Sequence, residues 1–216
     1  MNSANLHSIT PKKKVDIDAH LVSKAQKGDA YSLEQLIKRY EDKIYNLAFH
    51  ILGDENEAYD VLQETSMSVF QHLNEFKQKS NFSTWLYRIA INTALMKKRK
   101  QKKQTVSTET GDNITQYMDL GALKNLRDWS SDPVLNMENK ELKKVLDDSL
   151  QKIPEKYRSV VVLKDLENRS LEEIAKILNI SVPAVKSRLH RARMILRFML
   201  DRYIKQIYGH NIGVSH

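Results

Sequence analysis

Hydrophobic positions along the chain recur mainly at spacings of three and four residues, which is the period of an amphipathic α-helix. The longest such stretch runs from residue 33 to residue 51 and places these apolar side chains on one face: Leu33, Leu36, Ile37, Tyr40, Ile44, Leu47, Ala48 and Ile51. Asp29 is placed to cap its start, and Gly53 to end it in a left-handed conformation. The pattern therefore predicts a long helix between these two residues.

Shorter helical patterns lie on both sides of this stretch. A short helix is predicted over 18–27, and a second long one from about residue 55 to residue 73. The period is lost over 74–81, which indicates a loop. Ser83 or Thr84 is placed to cap the next helix, which carries apolar residues inward and then runs into a cluster of lysines and arginines.

A second group of helices is predicted after about residue 136. One helix spans roughly 137–151, and Pro154 opens another, because proline is tolerated at a helix start. Two further helices follow, joined by a tight turn at Asn179, a residue type that tolerates the left-handed conformation. Ser170 and Glu173 have the spacing of a capping box at the start of the first of these two helices.

Two short helices joined by such a turn are typical of a helix-turn-helix. Ser181 is placed to cap the second helix, with Pro183 in its first turn. In a DNA-binding protein this second helix enters the major groove. Among its outward residues, those best suited to contact base edges are Lys186, Ser187, His190 and Arg191. Those better suited to contact phosphates are Arg188 and Arg193. The alternative is a structural helical hairpin with a solvated basic face.

Composition supports an all-α fold of two small helical domains joined by a flexible linker. Only 6 Gly and 4 Pro are present, fewer than the tight turns of an all-β fold would need. Ser, Thr, Asp, Asn and Gly concentrate between the two helical groups. The predicted organisation is a disordered basic tail, a first domain, a linker, a second domain and a tail, at residues 1–15, 16–103, 104–135, 136–208 and 209–216.

Charge indicates a polyanionic partner. The net charge is +8, and basic residues concentrate in residues 97–103 and 183–205. The absence of cysteine excludes a disulfide or a thiolate zinc site, and no His and carboxylate set has metal-ligand spacing. No apolar run is long enough to cross a bilayer. We therefore expect a cytoplasmic protein without membrane insertion, metal or other cofactor.

Three stretches of the sequence resemble the signatures of one known family. They are Asp-Val-Leu-Gln-Glu at 60–64, Ser-Thr-Trp-Leu-Tyr-Arg-Ile-Ala-Ile-Asn at 83–92, and Val-Lys-Ser-Arg-Leu-His-Arg-Ala-Arg at 185–193. In this order and spacing they closely resemble the extracytoplasmic-function (ECF) type of alternative RNA polymerase sigma factor, in the sigma-70 family. The resemblance covers about residues 18–205. It implies two helical domains, sigma2 and sigma4, and no catalytic residues.

The resemblance also implies binding roles for individual residues. The β′ clamp helices of core RNA polymerase would be bound by Asp60, Gln63 and Glu64, and the β flap by sigma4. The −10 promoter element would be handled by Phe76, Lys77, Asn81, Arg88 and Asn92, with Lys97, Lys98 and Arg99 on phosphates. The −35 element would be read by the recognition helix, through Lys186, Ser187, Arg188, His190, Arg191 and Arg193. Phe82 and Trp85 are expected in the core. Met96 and Ser66 depart from the family's usual residue types.

The expected function is therefore promoter recognition and DNA melting together with core RNA polymerase. Promoter DNA is the second expected partner, and an anti-sigma factor or another regulatory or targeting protein is the third. One alternative is a dimeric helix-turn-helix repressor or activator that binds duplex operators without polymerase. An enzyme acting on nucleic acid is a further alternative, but no phosphate-binding loop, dinucleotide-binding loop or zinc-protease motif is present.

Overall fold

The computed structural model describes residues 17–104 and 140–208, with side chains over 17–101 and 144–201. Its α-helices are α1 (Ala19–Ala25), α2 (Ala30–Leu52), α3 (Glu55–His72), α4 (Phe82–Gln104), α5 (Lys140–Lys152), α6 (Glu155–Val161), α7 (Leu171–Leu178) and α8 (Val182–Tyr208). No strand occurs in these two described ranges. The all-α prediction is confirmed. The predicted tails, and the predicted linker from residue 105 onward, lie outside the described residues.

Helix α2 is the centre of the first half of the molecule. Its buried face repeats the predicted period, with Leu36, Tyr40, Ile44, Leu47, Ala48 and Ile51 all at most 4% exposed. Helices α1, α3 and α4 pack against it. Gly53 ends α2 with a φ of +77° and donates its N–H to the Phe49 carbonyl, as the sequence predicted. Burial of this long apolar stripe, rather than helix propensity alone, stabilises α2.

A buried carboxylate, that of Asp18, connects the start of α1 to α2. Asp18 is 1% exposed and lies just before α1. It accepts hydrogen bonds from Arg39 Nη1 at 2.5 Å and from the Tyr40 hydroxyl at 2.5 Å. Burial, together with the hydrogen bond to Asp18, raises the pKa of Tyr40 well above its usual range, so the phenol stays protonated as a donor.

The predicted cap of α4 at Ser83 or Thr84 is wrong. The helix begins at Phe82, and the Trp85 N–H donates to the Asn81 carbonyl at 3.3 Å. Ser83 and Thr84 are buried in the first turn instead. The cause is the Phe82 ring, which is 1% exposed and packs edge-on against Tyr40, so that burying it extends the helix toward the N-terminus.

The second half follows the predicted capping signals closely. Ser170 and Glu173 form both hydrogen bonds of a capping box at the start of α7. Asn179 adopts the left-handed conformation with a φ of +53°, and Ser181 Oγ accepts the Ala184 N–H at 3.3 Å at the start of α8. A π-helical turn over Val162–Leu166, which the sequence did not predict, connects α6 to α7. The helix-turn-helix is therefore confirmed as a local structure.

The two helical groups pack against each other, an arrangement that periodicity could not predict. Helix α7 lies on α4, and helices α5 and α6 lie against α2. The Tyr87 hydroxyl donates to Glu167 at 2.5 Å, and the Arg169 guanidinium lies 4.1 Å from the Tyr87 ring centroid. At the other end of the contact, Gln151 Nε2 donates to the His50 carbonyl at 2.9 Å.

Gly53 offers a direct test of this packing. A Cβ at this position would lie 2.6 Å from Cδ of Gln151, and its φ of +77° is unfavourable for any residue with a side chain. We expect Gly53→Ala to lower the free energy of unfolding by about 1–3 kcal/mol in urea denaturation. Gly28→Ala is the matched control, because Gly28 has a φ of +92° and nothing within 4 Å of its Cβ position. Equal losses for both variants would show that crowding of the added Cβ against Gln151 contributes nothing beyond the cost of the backbone conformation.

Candidate nucleic-acid interface

The recognition helix α8 presents its base-reading candidates together. Lys186, Ser187, His190 and Arg191 are all exposed, and their spacing places them on one face of the helix. The opposite face is held in the core by Val185, Leu189 and Ala192, which are at most 8% exposed. Donor groups on this exposed face suit the acceptor atoms of base edges in the major groove.

Three arginines of α8 are less freely available, because they are half-buried or make contacts within the protein. Arg188 is half-buried. Arg193 forms a two-point ion pair with Asp165, Nε to Oδ2 at 3.0 Å and Nη2 to Oδ1, and these hydrogen bonds raise its pKa. Arg191 Nη1 donates to the Tyr157 hydroxyl at 3.3 Å. A phosphate bound by Arg193 would therefore have to compete with Asp165.

A second exposed surface runs along α4. Arg88, Asn92 and Met96 are spaced by four residues and are all exposed, Met96 at 69%. Arg88 donates from Nε to the Lys176 carbonyl at 3.1 Å, at the end of α7. Asn81, just before α4, is half-buried. Two of the −10 candidates, Arg88 and Asn92, thus lie on one exposed face of α4, and Arg88 is hydrogen-bonded to α7 in this arrangement.

In the loop before α4, the structure contradicts the predicted role of Phe76. Phe76 is 7% exposed, and its ring packs against Phe82 and Trp85 with centroids 6.0 and 5.1 Å away. Its ring is a core group here, because the loop closes over it, and it offers no face to a base. Gln26, which the sequence analysis missed, holds the loop by donating from Nε2 to the Leu73 and Phe76 carbonyls at 2.8 and 3.0 Å.

Two aromatic residues near Phe76 are also at least partly buried, whereas the lysine next to it is exposed. Phe82 is buried in the core, as expected, and Trp85 is half-buried. Lys77, on the loop, is exposed. Its ammonium is therefore accessible to the backbone of a nucleic acid, as the prediction for this residue requires.

The predicted phosphate-binding residues at the end of α4 make contacts within the protein. Lys98 Nζ donates to the Leu52 carbonyl at 2.8 Å, where α2 ends. Arg99 Nε lies 3.9 Å from Glu155 Oε2 and is largely exposed. Lys97 turns the other way, toward α3, and forms ion pairs with Asp60 and Glu64. The prediction of a phosphate contact therefore does not fit Lys97, because its ammonium faces carboxylates.

The exposed face of α3 contains the predicted polymerase-binding residues. Asp60, Gln63 and Glu64 are all exposed. Met67 and Phe70 continue the same face, at 61% and 72% exposure. The sequence analysis did not single out these two, although apolar residues on the polar side of an amphipathic helix are a recognisable signal of a contact surface.

Membrane-spanning helices and metal-binding clusters are both absent from the described residues. Within residues 17–104 and 140–208, no helix is both long and apolar enough to span a bilayer. Among those same residues, no group of three or more His, Cys, Asp or Glu is arranged to hold a metal ion.

Both helical groups match models of a known protein family. The family model described as Sigma-70 region 2 matches residues 36–104, and that described as Sigma-70, region 4 matches residues 143–196. The ECF RNA polymerase sigma factor SigW of Bacillus subtilis is 36% identical over 182 residues, which are 83% of this chain and 94% of that protein. The chain belongs to the ECF sigma factors of the sigma-70 family.

Further comparisons agree with this assignment. The ECF RNA polymerase sigma-E factor of Escherichia coli K12 is 33% identical over 180 residues, 82% of this chain and 90% of that protein. The structure of CnrH in complex with the cytosolic domain of CnrY has a TM-score of 0.61 and 25% identity to this sigma factor, and covers 86% of this chain and 97% of that chain.

The fold of this sigma factor also resembles a second solved structure. The sigma factor RpoE of Bartonella quintana, in complex with the anti-sigma factor NepR, has a TM-score of 0.57 and 20% identity, over 78% of this chain and 96% of that chain. By the two family models, the helix-turn-helix lies in region 4 and the α3 and α4 surfaces lie in region 2, so a sigma factor is favoured over a dimeric repressor.

Proposed function

We propose that this sigma factor binds core RNA polymerase and directs it to promoters, with residues 16–103 acting as sigma2 and residues 136–208 as sigma4. Residues 104–135 link the two domains. The observation that carries the proposal is the pairing of two different exposed surfaces, a donor-rich recognition helix on α8 and a polar face on α4, in one chain of the sigma-70 family. A dimeric repressor would need only the first.

Polymerase docks on the α3 face in this proposal. Asp60, Gln63 and Glu64 offer acceptors to the basic clamp helices of β′, and sigma4 contacts the β flap. Exposure of all three side chains supports the assignment. The neighbouring Met67 and Phe70 add apolar area to the same surface, because they are exposed and lie beside the acidic ridge.

Promoter DNA is contacted by both domains. Lys186, Ser187, His190 and Arg191 read the −35 duplex. The −10 strand lies along the α4 surface, on Asn81, Arg88 and Asn92, with phosphates at the exposed side chains of Lys77 and Arg99. Catalysis remains with the polymerase, so the chain itself is not an enzyme. It acts in the cytoplasm. A regulatory protein of the anti-sigma type holds it inactive in this proposal, and one structural relative is a sigma factor in complex with an anti-sigma factor.

Run-off transcription on fragmented genomic DNA tests the proposal. The full chain is mixed with core RNA polymerase from a related bacterium, and the 5′ ends of new transcripts are mapped. We expect discrete start sites that appear only with the protein and share upstream elements. Binding to duplex operators without polymerase, and no new start sites, would favour the repressor instead.

Loss of one recognition-helix side chain gives a quantitative prediction. We expect Lys186→Ala to weaken binding of the holoenzyme to its matched −35 element by about 1–3 kcal/mol, and to leave binding to a scrambled element nearly unchanged. Arg193→Ala is the comparison, since Arg193 pairs with Asp165 and any phosphate contact would act on all sequences alike. Equal losses on matched and scrambled elements would remove Lys186 from base readout.

A further inference from the structure

One lysine of the basic run lies among carboxylates instead of facing solvent. Lys97 Nζ is 3.1 Å from Asp60 Oδ2, 3.1 Å from Glu64 Oε1 and 3.3 Å from Glu57 Oε2. The three acids are spaced at i, i+3 and i+7, so they share one face of α3. Lys97 reaches them from α4, and the four side chains form what we call the Lys97 cluster.

The lysine and the carboxylates of the Lys97 cluster differ in solvent exposure. The Lys97 side chain is 20% exposed, whereas those of Asp60 and Glu64 are 58% and 55% exposed. Each of these two carboxylates pairs with the ammonium through one oxygen, and its second oxygen remains a potential acceptor. The lysine therefore lies beneath the carboxylates, and a partner approaching α3 meets the acids first.

The electrostatics of the cluster favour a fixed arrangement. Like charges four residues apart on a helix repel, and Asp60 and Glu64 have this spacing. Burial alone lowers the pKa of Lys97, but the hydrogen bonds that its ammonium donates to Asp60, Glu64 and Glu57 outweigh it and hold this pKa well above its usual range. The ammonium therefore stays charged at any physiological pH, and it offsets the repulsion between its neighbours.

We propose that Lys97 is a positioning residue for polymerase docking, which holds Asp60 and Glu64 side by side with acceptor oxygens facing outward. The inference rests on the proposed docking of basic polymerase helices on α3. Two flexible acidic side chains that are ordered before association lose less conformational entropy on binding. The three acids and one lysine leave two net negative charges, so the surface still attracts a basic partner.

This role differs from the one expected of a basic run beside DNA. A phosphate-binding lysine adds to the salt dependence of DNA binding and leaves polymerase affinity unchanged. A positioning lysine affects the affinity for polymerase when no DNA is present. Lys97 and Lys100 belong to the same run, but Lys100 is exposed on α4, so it is the matched control.

The test measures the Kd of the full chain for core RNA polymerase without DNA, by fluorescence titration. We expect Lys97→Gln to weaken binding about tenfold, because the acids lose their common partner. Lys97→Arg should restore affinity to within about threefold, since a guanidinium also pairs with carboxylates. Lys100→Gln should leave this Kd unchanged. Thermal unfolding of each variant checks that the fold is retained.

A double-mutant cycle separates positioning from a general structural effect. Asp60→Asn combined with Glu64→Gln should itself weaken core binding, and adding Lys97→Gln to that pair should then change little. If the pair leaves the Kd unchanged, docking through these acids is wrong, and the inference fails with it. If the pair weakens binding but Lys97→Gln does not, only the inference about Lys97 fails.

Two other results would also overturn the role assigned to Lys97. An unchanged Kd for core polymerase, with a shallower salt dependence of promoter binding by the holoenzyme, would make Lys97 a phosphate contact. Tighter core binding by Lys97→Gln would show that the lysine competes with polymerase for the carboxylates.

Discussion

Replacing Arg158 with methionine is expected to lower the free energy of unfolding by about 3–5 kcal/mol. Arg158 is 4% exposed, and its partners are uncharged carbonyl oxygens. Nη1 donates to the Ile51 carbonyl at 2.5 Å and to Gln151 Oε1 at 2.8 Å, and Nη2 donates to the Gln151 and Ile153 carbonyls, the latter at 2.9 Å. Methionine keeps an apolar stem of similar length but leaves these acceptors without a donor.

The location of Arg158 explains why the effect should be large. Ile51 lies at the end of α2, where unpaired carbonyls concentrate partial negative charge, while Gln151 and Ile153 lie at the end of α5. One guanidinium thus donates hydrogen bonds to two helix ends, one from each half of the molecule. Burial lowers the pKa of Arg158 to about 10, so it still carries its charge at neutral pH.

Urea denaturation followed by far-ultraviolet circular dichroism measures the loss. Arg158→Lys is the control, because it keeps the charge and fewer of the donors, and it should fall between the parent and Arg158→Met. A loss below about 1 kcal/mol for Arg158→Met would mean that water replaces the guanidinium without penalty.

Local signals in the sequence predicted the helices and most of their ends, with the cap of α4 as an exception. The capping box at Ser170, the left-handed Asn179 and the terminal Gly53 were all confirmed, because each depends on residues within a few positions of itself. The period of apolar residues likewise predicted the buried face of α2. These features are decided by neighbouring residues along the chain, so a sequence displays them directly.

Contacts between distant parts of the chain account for the failures. Phe76 resembles an exposed loop aromatic in the sequence, but Phe82 and Trp85 bury it. Lys97 belongs to a basic run, but α3 supplies it with carboxylates from 33 or more positions earlier. The role of Arg158 depends on α2, more than 100 residues away. Residue type alone does not reveal such partners, because each partner arises from tertiary packing.

The same packing raises a geometric conflict with promoter binding. A chain of this length, when compact, has a diameter of about 45 Å. The −10 and −35 elements are nominally about 25 base pairs apart, or about 85 Å of duplex at about 3.4 Å per pair. In this structure α7 of the helix-turn-helix lies on α4, and Arg88 donates to the Lys176 carbonyl. The two surfaces therefore cannot reach both elements until the halves separate.

We accordingly expect that a covalent link between the halves reduces promoter-specific transcription to the level of core polymerase alone. The chain contains no cysteine, so His50→Cys and Asp147→Cys introduce a unique pair. His50 Nδ1 lies 3.2 Å from Asp147 Oδ1, within reach of a short bis-maleimide, and neither residue belongs to a proposed DNA or polymerase surface. A linker that contains a disulfide makes the link reversible.

The design separates the effect of the link from that of the substitutions. The double variant without cross-linker, kept reduced so that its two thiols do not oxidise to a disulfide, should transcribe like the parent, and the linked form should regain activity when the disulfide of the linker is reduced. Each single-cysteine variant treated with the reagent controls for modification alone. Full activity in the linked form would mean that the halves engage a promoter while packed as they are here, and the −10 or −35 surface would then have to be reassigned.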